Sequence, residues 1–280
     1  MGKKVALALG SGGARGYAHI GVIREIQAQG HEIVAIAGTS SGAMVGGLYA
    51  AGTLDEFADW VTTFTQKDVL LLLDPVLKGP GAIRAEKVMS RVRGMLNGIL
   101  IEDLPISYTA IATDLNSMRE IWFQEGPLHL AIRASIAIPS LITPVSLNGK
   151  ILVDGGLLNP IPVAPLSAAG AEVIIAVDLA GKGKESLSST SVQIDTRSLS
   201  EDELVEKVLA VPTGVRTFDV LMKSLETVQN TLARHQFSAH PADLTITIPL
   251  SSCGTLEFYR ANELIEIGQS LTKEALKSLL

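Results

Sequence analysis

The sequence predicts an α/β protein built on a mostly parallel sheet covered by helices. Three observations carry that expectation. Short apolar runs at 4–9, 33–37, 106–112 and 172–179 have the length and composition of strands buried on both faces. Segments with apolar residues at helical spacing follow the first two, giving β-α-β-α within the first 52 residues. Gly30 and Gly52 close those two helices, which is the residue that helix ends favour.

Taken in order, residues 4–9 form a strand, 10–13 a glycine-rich turn, and "RGYAHIGVIREIQAQG" a helix ending at Gly30. A second strand, 33–37, runs into "GTSSG" (38–42), and residues 41–51 continue as a helix. Thr53 with Glu56 reads as a capping box for another helix, and "AIRAEKVMSRVRGML" (82–96) as one more. Strands are expected at 106–112 and 119–124. Pro127 opens a helix through "LHLAIRASIA", and Asn148-Gly149 joins strands 144–147 and 151–153 as a hairpin. "EVIIAVDL" closes the alternating part. Residues 181–200, rich in Ser, Thr, Gly and Lys, read as a loop, with Ser200 and Glu203 as a second capping box. The remaining pieces, a helix at 202–236, a strand at 243–249 and a helix at 255–279, are too few to bury a core alone, so one domain over 1–280 is expected.

Composition narrows the function. Hydrophobic residues make up 47 % of 280 and charged residues 19 %, ample for a large core. Net charge is −6, from 23 basic and 29 acidic residues, and no dense basic run occurs, which argues against nucleic acid as a partner. The lone Cys253 excludes an intramolecular disulfide and a cysteine-based metal cluster, and fits a buried thiol in a reducing compartment. "MGKKVALALGSGG" opens like a signal peptide, but its apolar run stops at Leu9; Ala6 stands where a myristoylation motif needs Ser or Thr. No run approaches the roughly 18 apolar residues of a membrane helix. The expectation is a cytoplasmic protein that touches the inner face of the membrane only peripherally.

Three motifs carry chemistry. Gly38-Thr39-Ser40-Ser41-Gly42 matches G-x-S-x-G in one register, which makes Ser40 the candidate nucleophile on a strand-to-helix turn. Small residues also pack many such turns without catalysis. "LGSGGARGYAHIGV" (9–22) suggests nucleotide binding, yet Arg15 stands where G-x-G-x-x-G needs its third glycine, and Gly16 comes one residue late. Such a loop also suits an oxyanion hole, because it aims several backbone amides at one point. Asp154-Gly155-Gly156 ends an apolar strand, and by itself reads as an ordinary turn. Of the five histidines, His235 or His240 could close a Ser-Asp-His triad in an α/β-hydrolase order, but that fold places its elbow after more strands than the one preceding Ser40's own.

In this order, "GSGGARG", "GTSSG" and "DGG", together with "RASIAIPSLITPV" (133–145), the sequence resembles the patatin-like phospholipase family over roughly residues 4–180. Ser11 departs from the glycine common there. The resemblance implies a three-layer fold with helices on both faces of the sheet, and a Ser-Asp dyad without histidine or cofactor. Ser40 is then the nucleophile and Asp154 the base. Amides of Gly12, Gly13, Ala14 and Arg15 form the oxyanion hole, with Gly10, Gly16, Gly38, Gly42, Gly155 and Gly156 supporting the motifs. The substrate implied is an acyl ester, phospholipid or lysophospholipid; an acyltransferase using the same acyl-enzyme is the alternative, and a non-catalytic phosphate-binding module a more distant one. Arg15 reads either as an exposed first-turn residue or as a contact for phosphate or acidic side chains. His19 reads as structural. "DVLLLLDP" (68–75), inside 66–87, reads as a flap over an acyl groove or as a buried helix end, with burial favoured.

Overall fold

The computed structural model describes residues 2–72, 81–181 and 217–279. Its centre is an eight-stranded sheet in the order β10-β9-β1-β2-β4-β8-β7, with β5 also on β4. The strands are β1 (Lys4–Leu9), β2 (Glu32–Thr39), β4 (Ser107–Asp114), β5 (Arg119–Phe123), β7 (Val145–Leu147), β8 (Lys150–Asp154), β9 (Val173–Gly181) and β10 (Leu244–Pro249). β10, β9, β1, β2 and β4 run parallel, while β5, β8 and β7 attach antiparallel at the β4 end. A separate parallel pair joins β3 (Gly81–Ile83) to β6 (Ser140–Ile142).

Side-chain size alternates across the central strands, and that alternation sets the layers. Val5, Leu7, Leu9 and Ile36 point to a face covered by α1 (Ala18–Ala28), α2 (Ser41–Ala50) and the C-terminal helix, Ala261–Leu276. Ala6, Ala8, Ala35, Ala37 and Ala176 point the other way, where Ile161, Val163, Leu166 and Ala233 close over them. Ala233 belongs to the helix Thr217–Ala239. The large-residue face thus carries the main core, and the small-residue face lets its cover approach closely. Helices α3 (Leu54–Val61), α4 (Gln66–Leu72), α5 (Glu86–Leu96) and α6 (Leu128–Ser135) surround the β2–β4 end; the last two described helices are α7 (Thr217–Ala239) and α8 (Ala261–Leu276).

Three local expectations are corrected. α3 starts where Thr53 predicts it, but the Thr53 side chain does not cap it; Oγ1 turns back to the Leu48 carbonyl at 3.3 Å. The expected helix 82–96 starts at Glu86, because Gly81 and Ile83 are paired with β6 and Ala85 is left-handed, with φ 57°. The last helix starts at Ala261, after a 3-10 turn at Leu250–Ser252. The expected loop from 182 to 200, the Ser200–Glu203 capping box and the helix stretch 202–216 lie outside the described residues.

Candidate active site

β2 and β8 occupy the same edge of β4. β2 pairs as far as Thr39 with Ile111, and β8 begins one residue later, with Asp154 opposite Ala112. The two strands run toward each other along that edge, so the turn after Thr39 and the turn after Asp154 meet. β5 takes the opposite edge, since Ala110 and Ala112 pair with it as well.

At the β2 end the chain reverses through Ser40, whose φ of 56° and ψ of −121° lie in a region that residues with a Cβ rarely adopt. Ser40 is buried and sits at the N-terminus of α2, where the helix dipole favours developing negative charge. Gly42 lets this turn pass under β1: a Cβ there would run into the Leu9 carbonyl. Gly38 lies equally close to Ala43, and Gly16 to the Ser41 side chain. The Ser40 amide donates to Ser135 Oγ at 2.8 Å, and Ser135 Oγ donates to the Ile111 carbonyl at 2.6 Å.

At the β8 end, Asp154 Oδ1 accepts from the Gly156 amide at 2.7 Å, and the Asp154 amide donates to the Ala137 carbonyl at 2.9 Å. Gly155 is packed so closely on the Ile111 carbonyl that a side chain there would collide with it. Burial pushes the Asp154 carboxyl up to about 7, opposed by the Ser40 hydroxyl and the Gly156 amide, which favour its charged form. Oδ2 nevertheless has no partner in hydrogen-bond geometry. The hydroxyl therefore lies close to the carboxyl without being locked onto it.

The glycine-rich loop runs past both. Gly10 donates to the Val177 carbonyl, Ser11 to Pro160, Ala14 to Thr255 and Arg15 to Gly12, at 3.1, 2.9, 2.9 and 3.3 Å. Of the four amides named from the sequence, those of Gly12 and Gly13 have no partner among the described residues, while those of Ala14 and Arg15 are engaged. Arg15 is buried, so of its two readings the exposed first-turn residue is excluded and the contact with an acidic side chain is found. It donates to the carbonyls of Leu179 and Cys253 at 2.9 Å each and reaches Glu226 of α7 at 3.4 Å. His19 is fully buried and donates from Nε2 to the Gly10 carbonyl at 2.8 Å; burial lowers its pKa to about 4. None of the five histidines lines the pockets beside Ser40, and His235 and His240 are exposed.

Two pockets meet at this point. One is apolar, about 120 Å³, and runs from Ser40 and Gly13 between Met44, Trp60, Phe64, Val69 and Ile142. The other is the more polar of the two, with Gly12, Gly13, Asp154, Asp178 and Glu226 among Ile161, Met222 and Leu225 beneath α7. The leucine run divides between the two readings made of it. Val69 and Leu72 line the apolar pocket, whereas Leu70 and Leu71 face solvent at 65 % and 59 % exposure. Sequence reasoning did not single out Ser135, Ala137 or Trp60; the first two lie in the "RASIAIP" stretch, where the serine was a readable signal.

A strained serine on a strand-helix turn, a raised carboxyl beside it and an apolar pocket form the candidate active site. The model of the patatin-like phospholipases matches residues 7–167, and the chain belongs to that family of lipid ester hydrolases. An uncharacterized NTE family protein of Mycobacterium tuberculosis is 42 % identical over 98 % of this chain and 92 % of its own length. A lysophospholipase of Emericella nidulans is 28 % identical over 99 % of this chain but only 18 % of its own. Among solved structures, VipD from Legionella pneumophila aligns with a TM-score of 0.48 and 13 % identity, over 99 % of this chain and 67 % of that one. Among the described residues no helix is long and apolar enough to cross a membrane.

Proposed function

We propose that this protein is a lysophospholipase or phospholipase A that works through a Ser40–Asp154 dyad. The observation that carries the reading is the meeting of Thr39 and Asp154 on one edge of β4, which brings the strained Ser40 beside a carboxyl held near neutrality. A carboxyl at about 7 is ionised in half the molecules at neutral pH and is a far better base than an ordinary aspartate. Asp154 takes the Ser40 proton as Oγ attacks the ester carbonyl. The oxyanion forms against the amides of Gly12 and Gly13, and Asp154 returns the proton to the leaving alcohol. Asp154 then deprotonates a water that cleaves the acyl-enzyme, releasing the fatty acid and restoring Ser40. The acyl chain lies in the apolar pocket between Met44, Trp60 and Phe64, and the glycerol and head group face the polar side. The name of the fungal relatives favours a lysophospholipid as the substrate.

The test is labelling with a fluorophosphonate probe together with hydrolysis of lysophospholipid. Labelling of the wild type that disappears in Ser40→Ala, with hydrolysis lost in both Ser40→Ala and Asp154→Asn, is expected. Normal turnover in either variant refutes the dyad.

A further inference from the structure

We infer that Ser135 is a positioning residue, whose hydroxyl splints the end of the β2–β4 ladder and thereby holds Ser40 against Asp154. The inference rests on the dyad reading above but concerns a residue outside it.

In a parallel pair the backbone amide just beyond Thr39 would be expected to continue the ladder to a β4 carbonyl. It does not. The turn at Ser40 lifts its amide away, and Ser135 Oγ fills the gap, accepting from Ser40 N at 2.8 Å and donating to Ile111 O at 2.6 Å. A serine in the last turn of a helix usually returns its hydroxyl to its own helix, four residues back. Ser135, at the end of α6, instead spends both of its bonds on residues 95 and 24 positions away. It is fully buried, so neither bond has a solvent substitute.

The same short segment holds the other half of the pair. Two residues after Ser135, the Ala137 carbonyl accepts the Asp154 amide at 2.9 Å. The Ile111 carbonyl that Ser135 engages is the one packed against Gly155. Residues 135–137 therefore grip both the Ser40 and the Asp154 turns, and among the described residues the hydroxyl makes the only side-chain hydrogen bonds in that grip. Its loss frees the Ser40 turn to relax toward an unstrained conformation, away from the carboxylate.

The experiment compares Ser135→Ala, Ser135→Cys and Ser135→Thr with the wild type. It reads kcat, KM, the fluorophosphonate labelling rate, the pH–rate profile and thermal stability. Ser135→Ala is expected to lower kcat and labelling by roughly tenfold to a hundredfold, with KM within about twofold, because misplacement of a reacting group by about an ångström has that effect. The acid limb of its profile moves to higher pH, since the Ser40 hydroxyl no longer favours ionised Asp154. Ser135→Thr, which keeps the hydroxyl, restores most of kcat; Ser135→Cys, nearly the same shape with a weaker hydrogen bond, falls between. A folded Ser135→Ala or Ser135→Cys with wild-type kcat and labelling overturns the inference, and so does an activity loss with an unmoved acid limb. If Ser135→Ala does not fold, the Cys and Thr variants decide by the same readouts. A wild type that is not labelled at all refutes the dyad itself, a result distinct from any of these.

Discussion

Thr39 and Asp154 end two strands that meet head to head on one edge of β4, paired to the consecutive residues Ile111 and Ala112. This brings together two turns 115 sequence positions apart through backbone pairing to a common strand. Side-chain packing then needs to supply only the last adjustment. The proposed dyad, anchored to a sheet in this way, would sit on rigid elements, which is where catalytic geometry is held best.

The first prediction concerns pH and rate. Asp154 must be ionised to accept the Ser40 proton, and its pKa is pushed up to about 7. kcat/KM should therefore fall about tenfold per unit on the acid side, with its midpoint near pH 7. A profile of ester hydrolysis from pH 5 to 9 checks this. A plateau extending down to pH 5 contradicts a buried carboxylate base.

The same shift has a consequence for stability with the opposite sense. Asp154 binds its proton more tightly folded than unfolded, so its contribution is fully present below pH 4 and is lost as pH rises through about 7. Asp154→Asn keeps an acceptor for the Gly156 amide and removes the buried charge. The variant should be more stable than the wild type at pH 8, by on the order of a few kcal/mol, and equal to it near pH 4. Urea unfolding at the two pH values measures the difference; equal stability at pH 8 would mean that the carboxylate is well solvated.

Ser40 itself stores strain. With φ at 56° and ψ at −121°, the conformation is one that glycine adopts without the Cβ conflict. Ser40→Gly should be inactive and more stable than Ser40→Ala, by about 1 kcal/mol after the glycine's extra chain entropy is offset. Thermal melts of the two inactive variants give the comparison. A less stable glycine variant means that the turn is not strained.

An aromatic wall lines the apolar pocket proposed for the acyl chain. Phe57 meets Trp60 edge-on at 6.1 Å, and Trp60 meets Phe64 edge-on at 4.9 Å. Phe57, Trp60 and Phe64 all line the cavity, and in the proposed reading this wall restricts the space open to a chain. Trp60→Ala should shift the optimum toward longer acyl chains, by roughly three- to fourfold in relative kcat/KM for each further methylene that becomes buried. A series of esters of increasing chain length, assayed on both proteins, reads this directly. An unchanged optimum places the chain elsewhere.

Much of this was legible in the sequence because strands and glycine turns leave local marks. β1 and the hairpin at Asn148-Gly149 follow from composition and period alone, and β2 was foreseen but runs two residues beyond 37, through Thr39. Ser40 follows from register, since only one placement of G-x-S-x-G fits. What was not legible depends on pairing between distant segments. β3 and β6 are three residues each, too short to show a period, and exist because they pair with each other. The burial of Arg15 comes from carbonyls at 179 and 253, and the role of Ser135 from a gap in a ladder, neither of which leaves a local pattern. Which two loop amides stay unengaged was equally hidden, because Ala14 is claimed by Thr255, 241 residues away.

His19 supports the last prediction. It is fully buried at the start of α1, and its Nε2–H is spent on the Gly10 carbonyl. Nδ1 is left without a partner, so protonating it would bury an unpaired charge. That is why its pKa is lowered to about 4, below the ordinary value of 6.5. The unfolded chain therefore takes up this proton before the folded one does, and stability falls as pH drops from about 6.5 to 4. Asp154 acts in the opposite direction over much of this range, so the wild type alone does not isolate the effect. His19→Gln does, because glutamine offers an N–H toward Gly10 but has no proton to gain. Urea unfolding at pH 7 and pH 4.5 should show His19→Gln gaining on the wild type at the lower pH, by up to about 3 kcal/mol. If both proteins lose stability in parallel, His19 is not the group that sets the acid limit of the fold. The Gly10 carbonyl that it holds belongs to the loop whose Gly12 and Gly13 amides are proposed as the oxyanion hole.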